Sequence, residues 1–250
     1  MIYIGTAGWS IPRASSEKVT GDGSHLERYA RVLPCAEINT SFQRSHRFAV
    51  YEKWANQTPP SFRFSVKLPR AITHDGELRH ARIPVSRFLS QVAGLGNKLG
   101  ALLVQVPPSL EFRVRTVRSF FQLLRESFDG AVVCEPRHVS WFLPAAETLL
   151  ERLQIGRVAA DPLDIPGADC PGGWMGPANN GANAVVYYRL HGSPRKYWSR
   201  YPVERVQQWA EALSHSPSCT QAWFIFDNTA AGGAIENALE LITLLRSKSR

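Results

Sequence analysis

Ten consecutive residues, Val132-Val133-Cys134-Glu135-Pro136-Arg137-His138-Val139-Ser140-Trp141, run from an apolar, β-branched stretch into four chemically capable side chains. Glu135 and His138 are of the types that move protons. Arg137 offers a planar fork for phosphate or carboxylate. Trp141 offers a face for stacking on a base or a sugar. The same mixture recurs along the chain: Glu37 with Asn39; Lys67, Arg70 and His74; Gln105; Asp161; Arg189 with His191; and Asp227-Asn228-Thr229. Glu37 and Glu135, with His138 and His191, are the candidate catalytic groups. Asn39, Lys67, Arg70, His74, Gln105, Arg137, Trp141, Arg189 and Asn228 are the candidate substrate contacts. Two histidines and several carboxylates also permit a divalent metal ion. Their spacing matches no metal motif, so the metal stays open. The plainer alternative is mutual compensation, with Glu37 and Glu135 serving as ion-pair partners of Arg189 and Lys67.

The elements that carry these groups can be read from hydrophobic pattern. Eight short apolar runs stand out: 2–6, 36–40, 62–68, 101–106, 131–135, 157–161, 185–190 and 222–227. Stretches with helical spacing lie between them, at 24–33, 46–57, 85–95, 114–126, 144–153, 203–213 and 233–245. In the fourth of these, Val117, Phe120, Phe121 and Leu124 fall on one helical face. Ser24 is a plausible N-cap. Alternating strand and helix argue for parallel βα units. Eight of them in 250 residues predict one (β/α)8 TIM barrel spanning residues 1–250. The sixth unit is irregular, because the stretch after Asp161 is too rich in Pro and Gly for a helix. Nearly every run ends in a polar or charged group, so the polar groups collect at the carboxyl ends of the strands, where barrels bind their ligands.

Composition narrows the classes. The chain is 44% hydrophobic and 20% charged, the profile of a soluble globular protein. No apolar run reaches the roughly 18 residues of a membrane span, and the first residues read as a strand rather than a signal peptide. The four cysteines, Cys35, Cys134, Cys170 and Cys219, are widely separated. That spacing suggests a reducing, cytoplasmic setting without disulfides. The net charge is +8, and of 29 basic residues only six are Lys. The excess of Arg suits an anionic small molecule or nucleic acid as partner. Gly5, Gly8, Gly232 and Gly233 form no dinucleotide or phosphate-loop motif, so they imply no nucleotide cofactor.

The runs IGTAGW, EINTSF, FSVKLPRAITH, KLGALLVQVPPS, EPRHVSWF, YYRLHG and FDNTAAGGAIENAL resemble those of the YecE-like family, also called the domain-of-unknown-function-72 family. The resemblance covers almost the whole chain, in order. It implies a TIM barrel and a polar pocket holding Glu37, Asn39, Lys67, Arg70, His74, Gln105, Glu135, Arg137, His138, Trp141, Arg189, His191 and Asn228. It implies no particular reaction. The chain departs from the family pattern where Gln43 precedes Arg44, where Pro136 follows Glu135, and in a short segment after Trp9.

Three functions follow as expectations. The first is a hydrolase-type enzyme acting on a phosphate-bearing substrate such as nucleic acid, with or without a divalent metal. The second is a non-catalytic binder of an anionic metabolite or nucleic acid. The third is a carbohydrate-acting enzyme, since paired carboxylates and tryptophans also suit glycosides. A pocket whose carboxylates are all saturated by arginine would favour the binder.

Overall fold

In the computed structural model, which describes residues 1–176, 184–214 and 220–248, the apolar runs become the strands of one sheet. These are β1 (Ile2–Ala7), β2 (Cys35–Ile38), β3 (Arg63–Lys67), β4 (Leu99–Gln105), β5 (Ala131–Glu135), β6 (Gly156–Arg157), β7 (Ala159–Asp161), β8 (Gly172–Gly173), β9 (Ala184–Leu190) and β10 (Thr220–Phe226). Their order is β7-β9-β10-β1-β2-β3-β4-β5-β6-β8. All pairs are parallel except β6 with β8. β6 and β7 form a single stave interrupted at Val158, whose N–H donates to the Cys134 carbonyl at 2.8 Å. One part of this stave pairs with β5 and the other with β9, which curls the sheet into a nearly closed barrel.

The sixth unit differs from the others as its composition predicts, with no helix among the described residues between β7 and β9. What the sequence did not indicate is β8, which folds back antiparallel on β6. Gly173 makes this approach practicable: its φ is +60°, and a Cβ there would lie 2.5 Å from the Ile155 carbonyl oxygen. Residues 177–183 of the expected long loop, and Cys219, lie outside the described residues. Cys35 and Cys134 are buried free thiols, and Cys170 is exposed.

The helices are α1 (His25–Ala30), α2 (Phe48–Asn56), α3 (Arg70–Thr73), α4 (Arg82–Val92), α5 (Val114–Ser127), α6 (Pro144–Arg152), α7 (Val203–Ser214) and α8 (Gly233–Lys248). Ser24 caps α1 in a reciprocal box with Glu27. The stripe Val117, Phe120, Phe121 and Leu124 is the buried face of α5. The single turn α3 had no periodic signal. No helix among the described residues is long and apolar enough to cross a membrane.

Strand side chains alternate between two cores. Ile4, Ala36, Phe64, Leu102, Val132 and Phe224 face the helices. Tyr3, Cys35, Leu103, Val133, Tyr187, Trp223 and Ile225 fill the barrel floor. Continuing the inward-facing register along each strand reaches Glu37, Lys67, Gln105, Glu135, Arg189 and Asp227. The alternation that builds the floor therefore also delivers charge to the barrel's upper interior.

Candidate functional site

The upper interior is organised by Arg189, which has no exposed surface. Its Nε and Nη2 donate to the two carboxylate oxygens of Glu37 at 3.0 and 2.8 Å. Its Nη1 donates to Glu135 Oε2 at 2.6 Å, and Nη2 also reaches Asp227 Oδ2 at 2.9 Å. One guanidinium thus joins strands β2, β5, β9 and the residue just past β10. Glu37 also accepts from the Tyr187 hydroxyl at 2.9 Å, which in turn lies 2.6 Å from Ser65 Oγ.

Glu135 is the second hub. Its Oε1 accepts from Arg137 Nε at 2.6 Å and from Gln105 Nε2 at 3.1 Å, and lies 3.3 Å from His191 Nε2. His191 Nδ1 lies 3.0 Å from Asp227 Oδ2, a contact that needs a proton on Nδ1. When only that nitrogen is protonated, Nε2 accepts from Arg137 Nη2 at 3.1 Å. Burial alone would raise the Glu135 carboxyl, but Arg137 and Arg189, with His191, hold it well below the ordinary carboxylate range. Asp227 is likewise lowered: Arg189 and His191 outweigh its burial. Tyr187 is driven well above the phenol range, first by burial and then by the Glu37 charge.

Two amines complete the mouth. Lys67, at the end of β3, is 6% exposed. Its Nζ lies 4.1 Å from the centre of the Phe42 ring, and among the described residues it makes no ion pair. Burial, and then the positive charge of Arg189, lower its pKa to about 8, against the opposing pull of Glu135, Glu37 and Asp227. Lys196 is half-buried on the loop after β9. Burial and the Arg137 charge lower its pKa. That loop is pinned over the barrel. Tyr197 N–H donates to the His191 carbonyl at 2.5 Å, Ala230 N–H to the Tyr197 carbonyl at 3.0 Å, and Asn228 Nδ2 to the Ser199 carbonyl at 2.9 Å.

The geometry thus gathers Glu37, Glu135, Arg137, Gln105, Arg189 and His191 by direct contact, with Lys67 beside them. Of the other expected site residues, His74 lies at the rim beside Lys67, and the rest lie elsewhere. Trp141 is fully buried and donates to the Leu110 carbonyl at 2.8 Å, so it belongs to the core. His138 caps the turn after β5 through Ser140, with 2.8 Å between Nδ1 and Oγ. Arg70 is exposed and pairs with Asp75 at 3.0 Å. Asn228 points outward and bonds Asn237 at 3.1 Å. His74 stays at the rim: it packs edge-on against the Phe42 ring that carries the Lys67 amine, with ring centres 4.9 Å apart, and burial and then the Lys67 charge lower its pKa. Asn39 is half-buried and helps line a cavity of about 310 Å³ with Trp9 and His25. Arg189 also departs from its expected role as a ligand contact, because its donors are spent on carboxylates and it has no exposed surface. Asp227, Tyr187 and Lys196 were not among the expected site residues. Register parity singles out the first two: Asp227 is in phase with Trp223 and Ile225, whereas Asn228 is not.

A divalent cation does not suit this donor set. The carboxylate oxygens are already occupied by guanidinium and imidazole groups, and among the described residues no cluster of three or more His, Cys, Asp or Glu is arranged to hold a metal.

Comparison with known proteins places the fold in context. The family described as "Protein of unknown function DUF72" matches residues 3–250. A UPF0759 protein, YecE, of Escherichia coli K12 is 33% identical over 148 residues, covering 59% of this chain and 52% of the relative. That match therefore spans about half the length of the relative. The UPF0759 protein YunF of Bacillus subtilis is 24% identical over 98% of this chain and 95% of its own. A crystal structure of a DUF72 family protein from Enterococcus faecalis superposes with a TM-score of 0.78 at 25% identity, covering 98% of this chain and 96% of that one. Another, from Thermotoga maritima, gives 0.75 at 23% identity, covering 98% and 99%.

Proposed function

The chain belongs to the DUF72 family, whose description names no reaction, and we propose from the geometry of the mouth that it binds a small anionic ligand there. The observation that carries this reading is an imbalance of charge. Arg137, Arg189, Lys67 and Lys196 supply four cationic groups, whereas the carboxylates they surround are three: Glu37, Glu135 and Asp227. The guanidiniums satisfy the carboxylates, and the two amines are left without an anionic partner among the described residues. An anion entering the mouth completes the set. Rigid strands hold Lys67, and the pinned loop holds Lys196, so little ordering is needed on binding.

The same geometry favours binding over hydrolysis. A general base must be free to take a proton near neutral pH. Glu135 and Asp227 are held below the ordinary range, and Glu37 is bridged by Arg189 and Tyr187. The two glutamates share one arginine, so they also lack the freedom that a glycosidase pair requires. A larger phosphate-bearing partner, such as a nucleic acid strand, is the second reading. It is favoured by the exposed Trp198, which carries Arg195 on its face at 4.3 Å, beside exposed Tyr197.

Calorimetric titration with inorganic phosphate and sulfate, at constant ionic strength, tests the proposal. Binding that weakens about tenfold or more in Lys196→Ala is expected, the loss of one charge-assisted contact. No binding of either anion, or equal affinity in both proteins, would overturn it.

A further inference from the structure

Six lysines occur in the chain, and Lys67 differs from the rest in being only 6% exposed while its amine makes no ion pair or hydrogen bond among the described residues. Lys18 and Lys53 are exposed, and Lys248 pairs with Glu211 at 3.5 Å. Lys98 is spent on the carbonyls of Ala55 and Thr58. Lys196 is only half-buried. The backbone of Lys67 is fixed: its carbonyl accepts from Ser41 Oγ at 2.6 Å, and the next N–H donates to the Leu103 carbonyl at 2.9 Å. Its Nζ rests over an aromatic ring rather than against a carboxylate.

We propose that Lys67 is a nucleophile which condenses with the carbonyl carbon of a 2-oxo acid, with Lys196 countering the carboxylate of that ligand. The proposal rests on the anion-binding reading and specifies its ligand class. In the step, the neutral amine adds to the carbonyl carbon. With one proton taken from solvent, water leaves and a protonated imine remains. One C=O bond becomes one C=N bond, and nothing is oxidised or reduced. Three features favour this chemistry. The amine stands at the carboxyl end of a barrel strand, where barrel enzymes place reacting groups. Burial lowers its pKa to about 8, so a large share is neutral in mildly alkaline water. Its carboxylate neighbours are occupied by Arg189, so they do not lock the amine in its charged form.

The test is reductive trapping of the full chain with pyruvate and cyanoborohydride at mildly alkaline pH, followed by peptide mapping of the adduct. Acetone serves as the neutral control. Label on Lys67 at least about tenfold above the exposed lysines Lys18 and Lys53 is expected from its larger neutral fraction, with weaker label from acetone and none at this position in Lys67→Arg. Mapping the native protein locates the adduct even if that variant does not fold. Label confined to exposed lysines such as Lys18 and Lys53 overturns the proposal. Phosphate titration then separates the two readings: binding that persists leaves the anion site standing, and its absence removes both.

Discussion

The barrel interior holds two layers built by the same strands and opposite in chemistry. The floor is aromatic and aliphatic. Trp223 stacks on Tyr187 with ring centres 5.8 Å apart and meets Tyr3 at 4.7 Å. Gly100 is needed beneath it, because a Cβ there would lie 2.5 Å from the indole. The layer above is ionic, with a fully buried arginine between three carboxylates. Tyr187 belongs to both, its ring on Trp223 and its hydroxyl on Glu37. The floor is stabilised by filling volume, which needs only shape. The upper layer must cancel charge in a dry place, and there each ion costs several kcal/mol to desolvate. Buried ion pairs commonly give no more stability than an apolar layer would. A layer of this kind, in which Lys67 and Lys196 have no anionic partner among the described residues, is what the proposed anion would complete.

The largest test of this contrast is Arg189→Met. It strands Glu37, Glu135 and Asp227 without their shared cation, and we expect a loss of about 3–5 kcal/mol in urea unfolding, or no folding at all. Arg246→Ala, on an exposed stretch of α8, should cost about 0–1 kcal/mol. Acid should act on the same layer. Glu135 and Asp227 have lowered pKa values when folded, so the folded chain binds fewer protons than the unfolded one. Their stabilisation is present above the normal carboxylate range and is lost as pH falls below about 4. Thermal melts across pH should show it, and Arg189→Met, if it folds, should show a weaker dependence, since Arg137 and His191 still lower Glu135.

Lys67→Met should act in the opposite direction. At neutral pH the native chain carries the cost of a buried ammonium, so the variant should be more stable by roughly 1–3 kcal/mol. Because the folded pKa is lowered to about 8 from 10.5, native stability should rise as pH climbs between those values. The variant should lack that rise while binding phosphate less well. A variant that is less stable at neutral pH would show that Lys67 is structural.

The smallest effect should come from the floor. The Trp223 indole N–H is buried with no acceptor among the described residues. Trp223→Phe removes that unpaired donor along with some volume. We expect a loss of only about 1–2 kcal/mol, against about 3–5 for Trp223→Ala. A Phe variant as damaging as the Ala variant would mean the N–H has a partner.

How much of this was legible in the sequence follows from where regular structure stops. Inside strands the alternation of side chains is strict. Glu37, Gln105, Glu135 and Arg189 could therefore be placed in the barrel from their runs alone. Beyond the strand ends parity lapses: Trp141 and His138 follow a tight turn, and Arg70 enters α3, so their proximity in sequence did not bring them into the mouth. At the end of β10 the expectation fell on Asn228, while the register delivers Asp227. Lys196 left no local signal, because long-range bonds from its loop to His191, Asn228 and Ala230 bring it over the barrel. β8 was hidden for the same reason, as a pairing of Gly172 and Gly173 that tertiary contacts create.

The proposed anion site turns on the Lys67 amine, whose titration can be followed by carbon-detected NMR of its Cε, assigned with Lys67→Met. Without ligand, a midpoint near 8 is expected. With saturating phosphate the midpoint should rise, since a nearby anion favours the ammonium. A midpoint at the ordinary 10.5, unmoved by phosphate, would contradict the proposed site.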